Sequence, residues 1–130
     1  MNEHKNRIKS YRDLIVWQKS HVLTKKIIEQ CSKFPKTEES GVIKKQLLRS
    51  STSIPANIAE GYGANKGKIF QNSLTIARRE ATETDYWVLL SYELGYIKLD
   101  TYNELEKGYS EVRAMLSSLI LKLGKLRTSD

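Results

Sequence analysis

The sequence has few of the residues on which disulfides and metal sites depend. Its 130 residues contain one cysteine, Cys31, and two histidines, His4 and His21. A single cysteine forms no internal disulfide, and these three side chains are too few for a structural zinc site. Neither histidine follows a glutamate by three residues, so the Glu-x-x-His pattern of carboxylate metal bundles is absent. We therefore expect no metal and no other cofactor.

Long apolar runs and catalytic signatures are also missing. No segment approaches the roughly 20 apolar residues that span a bilayer, and no apolar stretch follows the basic N-terminus as in a secretory signal. Gly61, Gly63 and Gly67 precede no Lys-Ser/Thr pair, so they do not form a phosphate-binding loop, and no nucleophile elbow occurs. These absences predict a cytoplasmic protein with no membrane partner and no catalytic activity.

Positive charge is what the sequence has in excess. The formal net charge is +7, residues 1–36 carry nine basic against three acidic side chains, and a second basic group closes the chain. Such a surface attracts phosphate backbones or another polyanion, although a basic face that only keeps the protein in solution has the same composition. The residues predicted to contact phosphates are Lys5, Arg7, Lys9, Lys19, Lys25, Lys26, Lys122, Lys125 and Arg127.

Apolar residues recur at steps of three and four in four segments, as in amphipathic helices. The expected helices run from Asp13, as an N-cap, to about Ser32, from about Thr37 to Gly61, from about Lys68 to Leu94, and onward from Asp100, a second N-cap. His21 and Cys31 fall on the apolar seam of the first, so both are expected in the core. With no strand alternation and short connections, the sequence predicts an all-α, up-down antiparallel four-helix bundle. We expect the bundle at 13–126, a basic tail at 1–12 and a C-terminal tail at 127–130.

The second helix is expected to contain a proline. Pro55 removes one backbone hydrogen bond and presses on the carbonyl of Ser51. The apolar spacing nevertheless continues in register from Leu47 through Ile54 to Ile58. We therefore expect a bend at Pro55 inside a continuous helix, where small serines leave room for the ring and offer hydroxyls to the freed carbonyl.

A polar stripe also runs along the second helix and faces charged residues of the third. The stripe consists of Gln46, Arg49, Ser53, Asn57 and Glu60. The predicted polar network joins residues of both helices: Gln46, Arg49, Asn57, Glu60, Arg78 and Glu83. If the two helices pack antiparallel, Arg49 can pair with Glu83 and Arg78 with Glu60. The stripe is interpreted either as a structural network that fixes helix register, which we favour, or as a surface for a partner.

The third helix carries two apolar stripes, which implies burial on two sides. The second stripe includes Trp87, Leu90 and Leu94, the predicted oligomer interface. Burying about four large side chains contributes on the order of 6–12 kcal/mol, at roughly 1.5–3 kcal/mol each. We therefore expect a homo-oligomer unless both stripes are covered inside one bundle.

Three segments carry a resemblance to a known family. VWQK, SIPANIAEG and LGYI, in this order and spacing, resemble the four-helix-bundle proteins encoded by 23S ribosomal RNA intervening sequences, over about residues 12–97. That family is similar to the accessory protein of diversity-generating retroelements. The resemblance implies a bundle that assembles into a ring, with five subunits favoured. It also implies RNA or DNA as a partner, and a reverse transcriptase or other protein as a further one.

Two functions follow as hypotheses. The first is a non-catalytic, oligomeric nucleic-acid-binding protein that contacts mainly phosphates, with Tyr11 and Tyr62 as candidates for base stacking. The second is a scaffold or adaptor whose basic surface meets an acidic protein. The concentrated positive charge and the resemblance favour the first.

Overall fold

The computed structural model describes residues 7–64 and 67–128, and of residues 127 and 128 only the backbone. A 3-10 turn covers Tyr11–Asp13, and the helices are α1 (Ile15–Cys31), α2 (Glu38–Ala64), α3 (Gly67–Glu93) and α4 (Leu99–Thr128). These two ranges contain no strand. The predicted all-α, four-helix architecture is confirmed.

Each helix packs against its neighbours in the chain, and α1 closes the bundle against α4. Contacting pairs are Ser50–Thr84 and Tyr62–Phe70 between α2 and α3, Arg78–Ser117 and Gln71–Ile120 between α3 and α4, and Lys19–Glu111 and Lys26–Glu104 between α1 and α4. In every set the residue number rises on one helix as it falls on the other. The helices are therefore antiparallel neighbours, in up-down order.

On α2 and α4 the core is built from apolar residues that recur at steps of three and four. The fully buried residues of these helices include Leu47, Ile54, Ile58, Leu105, Tyr109, Val112 and Leu116. Spacing of three and four residues thus located these faces correctly, because each helix has only one continuous apolar stripe.

The predicted N-cap of α1 is wrong. The helix begins at Ile15, and Leu14 occupies the cap position without a side-chain hydrogen bond. The Asp13 carboxylate instead accepts the backbone N–H groups of Lys9 and Ser10, at 2.8 and 3.1 Å. With the Ser10 hydroxyl it forms a capping box around the 3-10 turn. Asp13 therefore orders the segment before the helix.

Two other helix ends also differ from expectation. The fourth helix begins at Leu99, so Asp100 already lies in its first turn, where its carboxylate accepts the N–H of Thr101 at 2.8 Å. The second helix continues past Gly61 to Ala64. Helix ends are set by local hydrogen bonds that periodicity does not report.

The buried face of α1 coincides only in part with the predicted seam. Its buried residues are Val16, Ser20, Leu23, Thr24, Ile27 and Cys31. His21 is exposed, so its predicted place in the core is wrong. Ser20 takes the buried position because its hydroxyl donates to the carbonyl of Trp17, at 2.9 Å. The burial of Cys31, only 2% exposed, is confirmed, and this burial raises the pKa of its thiol to about 11.

Pro55 lies inside α2, and the predicted continuity of this helix across the proline is confirmed. The carbonyl of Ser51, which has no N–H partner at position 55, lies 3.1 Å from the hydroxyl of Thr24 on α1. That hydroxyl is also 2.8 Å from the carbonyl of Ser20 and can share its proton between the two. A neighbouring helix, rather than the serines of α2, therefore supplies the donor.

Candidate nucleic-acid interface

The antiparallel packing gathers the excess positive charge at one end of the bundle. We call this the basic end, and it consists of residues 7–22, 52–64, 67–82 and 109–126. On α1 and α4 its inner limit is the level at which Leu23 packs against Gly108, where an added Cβ would lie 2.5 Å from the leucine. On α2 and α3 we draw the limit before residue 52 and after residue 82, and two ion pairs cross it, Arg49–Glu80 at 3.2 Å and Arg113–Asp85 at 3.6 Å. Residues 23–51 and 83–108 form the other half of the molecule.

The two halves differ sharply in charge. The basic end carries ten basic side chains, Arg7, Lys9, Arg12, Lys19, Lys68, Arg78, Arg79, Arg113, Lys122 and Lys125, against four acidic ones, Asp13, Glu60, Glu80 and Glu111. The other half carries nine of each sign between residues 24 and 107. One half therefore has a formal charge of +6 and the other is neutral, a distribution that attracts a polyanion to one end.

Predicted phosphate contacts from both chain termini meet at this end. Arg7, before the 3-10 turn, and Lys122, near the end of α4, line the same groove of about 780 Å³. Leu14, Ile15 and Met115 form part of its apolar wall. Lys9 and Lys125 are exposed at the same end. Two further predicted contacts, at Lys5 and the Arg127 side chain, lie outside the described residues.

The predicted contacts on α1 are in a different environment. Lys19 Nζ lies 3.3 Å from Glu111 Oε2, and Lys26 pairs with Glu104. These carboxylates of α4 offset the two lysine charges locally. Lys25 is exposed, but it lies with Lys26 in the neutral half. The structure therefore brings together only part of the predicted set, at the ends of the chain.

The sequence reasoning missed the basic residues that α3 contributes. Lys68 and Arg79 are exposed at the basic end, and the guanidinium of the half-buried Arg78 donates to the Ser117 hydroxyl, at 3.3 Å. They belong to a segment in which basic and acidic residues balance. Within this segment the basic residues precede the acidic ones, and only the fold places the basic part at the same end as the chain termini.

The polar residues of α2 and α3 are partly brought together. Arg49 donates to Gln46 at 3.0 Å and to Glu80 at 3.2 Å, and it forms the predicted pair with Glu83. Glu83 also accepts the indole N–H of Trp87 at 2.9 Å. One guanidinium thus joins the two helices, through groups that are partly exposed to solvent.

The other predicted pair is wrong. Arg78 turns toward Ser117 on α4 and does not pair with Glu60 on α2. Asn57 bonds within its own helix, to the carbonyl and the hydroxyl of Ser53, at 2.8 and 2.9 Å. The polar stripe of α2 therefore contacts α3 through the cluster around Arg49. Further along the helix, Asn57 makes hydrogen bonds only within α2.

Comparison with known proteins identifies the family. The sequence profile described as 23S rRNA-intervening sequence protein matches residues 12–118. The chain belongs to this family. It is also similar to the crystal structure of a protein of unknown function from the S23 ribosomal protein family of Bacteroides thetaiotaomicron. That likeness has 35% identity and a TM-score of 0.75, and it covers 82% of this chain and 98% of the other. Among curated proteins none matches.

In this member of the intervening-sequence protein family, the second apolar stripe of α3 is divided. Trp87 and Leu90 are half-buried and pack against the protein's own core. Leu94 is 50% exposed and Ile69 is 49% exposed. The bundle itself therefore covers part of the surface that the sequence assigned to an oligomer interface.

Two features are absent from residues 7–64 and 67–126. No helix there is long and apolar enough to cross a membrane, and no three His, Cys, Asp or Glu side chains are grouped as metal ligands. Both tyrosines named as candidates for base stacking lie at the basic end: the ring of Tyr62 contacts Phe70 at 5.9 Å between centroids, and the ring of Tyr11 contacts Trp17.

Proposed function

We propose that this protein is a non-catalytic nucleic-acid-binding protein that contacts mainly phosphates through its basic end. The observation that carries the proposal is the separation of charge along the bundle, +6 in one half and zero in the other. Phosphate contacts carry no base information, so binding is expected to be largely independent of sequence. RNA is the first ligand to test, since the family description refers to a 23S rRNA intervening sequence.

The proposed surface combines side chains from three parts of the chain. Arg7 and Lys122 lie on the groove between the N-terminal segment and α4, and Lys68 projects from the start of α3. They are exposed, and within the described residues none of the three has an ion pair. Their charges are therefore available to phosphates.

We further propose that the protein works as a homo-oligomer, with the five-membered ring of the family resemblance as the expected form. Exposed apolar residues that support self-association include Ile69 and Leu89 of α3 and Leu94, the first residue after this helix. Assembly would place several basic ends on one particle, and simultaneous engagement would raise the avidity for a long polyanion.

Fluorescence anisotropy tests the proposed binding. A labelled 20-nucleotide RNA is titrated with the protein at about 50 mM and at about 200 mM salt. If the protein contacts about four to six phosphates, the higher salt concentration should lower the affinity by roughly 50- to 300-fold. A DNA oligonucleotide is compared with its methylphosphonate analogue, which keeps the bases but lacks the backbone charge. The DNA should bind and the neutral analogue should not. The absence of RNA and DNA binding at the lower salt concentration contradicts the proposal.

The alternative is a scaffold or adaptor for an acidic protein. The exposed apolar residues of α3 favour it, because they lie beside charged side chains on a surface that a protein can cover. Affinity capture from lysate with and without nuclease separates the two functions. A defined protein that is retained after nuclease treatment would support the adaptor, whereas loss of the captured material supports binding through nucleic acid.

A further inference from the structure

Three aromatic rings follow one another on the outer side of α1 and the turn before it. The ring of Tyr11 contacts Trp17 edge to face, with centroids 5.0 Å apart and planes at 69°. The indole of Trp17 stacks on the imidazole of His21, with centroids 4.6 Å apart and planes at 12°. The guanidinium of Arg12 lies 5.1 Å from the centre of the Tyr11 ring. We call Tyr11, Trp17 and His21 the aromatic row.

The outer end of the aromatic row is open to solvent. His21 is exposed, whereas Trp17 and Tyr11 are half-buried. Within the described residues the imidazole has no hydrogen-bond partner, so the stack on Trp17 is the contact that orients it. One face of His21 rests on Trp17, and Lys25 follows one turn further along the same side of the helix. A flat group can therefore extend the stack beyond His21, beside a lysine.

The surroundings of the row favour an anion attached to that flat group. Residues 14–28 of the first helix contain no aspartate or glutamate, and neither do residues 51–59 of α2, the helix against which the 3-10 turn also packs. Asp13 is the nearest acidic residue in sequence, and its carboxylate is held by the backbone N–H groups of Lys9 and Ser10. Arg12 and Lys25 thus stand at the two ends of the row without a carboxylate between them.

We propose that the aromatic row is a stacking site for unpaired bases of single-stranded RNA or DNA, with Arg12 and Lys25 contacting the flanking phosphates. This inference rests on the proposed function and specifies its ligand. Every base has a flat face that stacks on an aromatic ring, so the site tolerates any sequence. In a duplex the faces of internal bases are already stacked on their neighbours. The site therefore distinguishes single strands from duplexes, which a purely electrostatic surface does not.

Anisotropy titrations of a single strand and of the duplex that contains it test the inference. His21→Ala removes the exposed ring without opening the core and is expected to weaken single-strand binding by about 5- to 100-fold, while duplex binding stays within about twofold. His21→Phe keeps a flat ring and should restore single-strand binding. The matched control is Tyr86→Ala, which removes an exposed aromatic ring of α3 from the neutral half and should leave both affinities unchanged.

A second readout reports on the stack itself. The sequence contains two tryptophans, Trp17 and Trp87, so the Trp87→Phe variant has Trp17 as its one tryptophan fluorophore. Its fluorescence should be quenched by a single strand and much less by the duplex. If the wild type binds neither ligand at low salt, the proposed function and this inference both fail. If it binds but His21→Ala weakens neither ligand, or both by the same factor, only the inference fails.

Discussion

At the scale of single residues, one hydroxyl explains how a proline is accommodated inside a long helix. Pro55 leaves the carbonyl of Ser51 without its helical partner, in a position that is fully buried. A buried carbonyl without a donor costs about 1–3 kcal/mol. Thr24 supplies the donor from α1 at 3.1 Å, so a defect of one helix is repaired by its neighbour.

Thr24→Val should therefore destabilise the protein by about 1–3 kcal/mol, because valine has the same shape but no hydroxyl. The free energy of unfolding from urea denaturation measures the effect. Thr52→Val is the matched control, since the Thr52 hydroxyl is exposed and bonds only within its own helix, to the carbonyls of Leu48 and Arg49. Equal losses for the two variants would show that the interhelical hydrogen bond has no special role.

Single residues are also where the sequence was hardest to interpret. On α1 the predicted seam and the face that is buried contain the same number of apolar residues. Because the buried face includes Ser20, hydrophobic spacing did not favour it over the seam. Ser20 is buried because its hydroxyl is satisfied by the helix backbone, and His21 is exposed because Trp17 supports its ring. Neither arrangement leaves a signal in hydrophobic spacing. The aromatic row could therefore not be predicted.

At the scale of helices, the type and order of the elements followed from the sequence. Four amphipathic stretches with short connections leave an up-down bundle as the simplest packing. The ends of the helices did not follow, because Asp13 caps the 3-10 turn that precedes α1 and Asp100 accepts a hydrogen bond from inside the first turn of α4. The sequence also did not predict how closely α2 approaches α3. The close approach depends on Gly61, where an added Cβ would lie 2.5 Å from the Cβ of Ser73.

Gly61→Ala should destabilise the protein by up to about 2 kcal/mol. The alanine gains about 1 kcal/mol of helix propensity but forces apart the two most closely packed helices, which costs about 1–3 kcal/mol. Gly41→Ala is the control, because nothing lies within 4 Å of its added Cβ and it should stabilise the same helix by up to about 1 kcal/mol. Thermal unfolding of the two variants gives the comparison. Stabilisation by both would contradict the close approach at Gly61.

At the scale of the whole molecule, the fold turns a modest excess of basic residues into a molecule with one charged end. The sequence indicated the basic termini, which α1 and α4 bring together because they are antiparallel. It did not indicate the contribution of α3, whose basic residues precede its acidic ones and reach the basic end through the topology. The functional hypothesis could thus be made from composition, but its location required the topology.

The proposed self-association also belongs to this scale. Leu94→Asp, at the exposed residue that follows α3, should convert the proposed oligomer to a monomer of about one chain mass, measured by light scattering coupled to size exclusion, because a charge in an apolar interface is costly to bury. Ile28→Asp on α1 has nearly the same exposure, 49% against 50%, and should leave the mass unchanged. A wild-type protein that is monomeric at micromolar concentration would contradict the assembly.

The central claim, that the basic end binds nucleic acid, is tested most directly by two matched charge reversals. Lys68→Glu with Lys122→Glu alters the basic end, and Lys36→Glu with Lys45→Glu alters the other half. All four lysines are exposed, and each pair lowers the formal charge by four. The affinity for a labelled RNA is measured as a function of salt concentration. We expect the first pair to weaken binding at least tenfold more than the second and to reduce the salt slope by about 1.4, at roughly 0.7 for each single-strand phosphate contact. Equal losses from the two pairs would contradict a located interface.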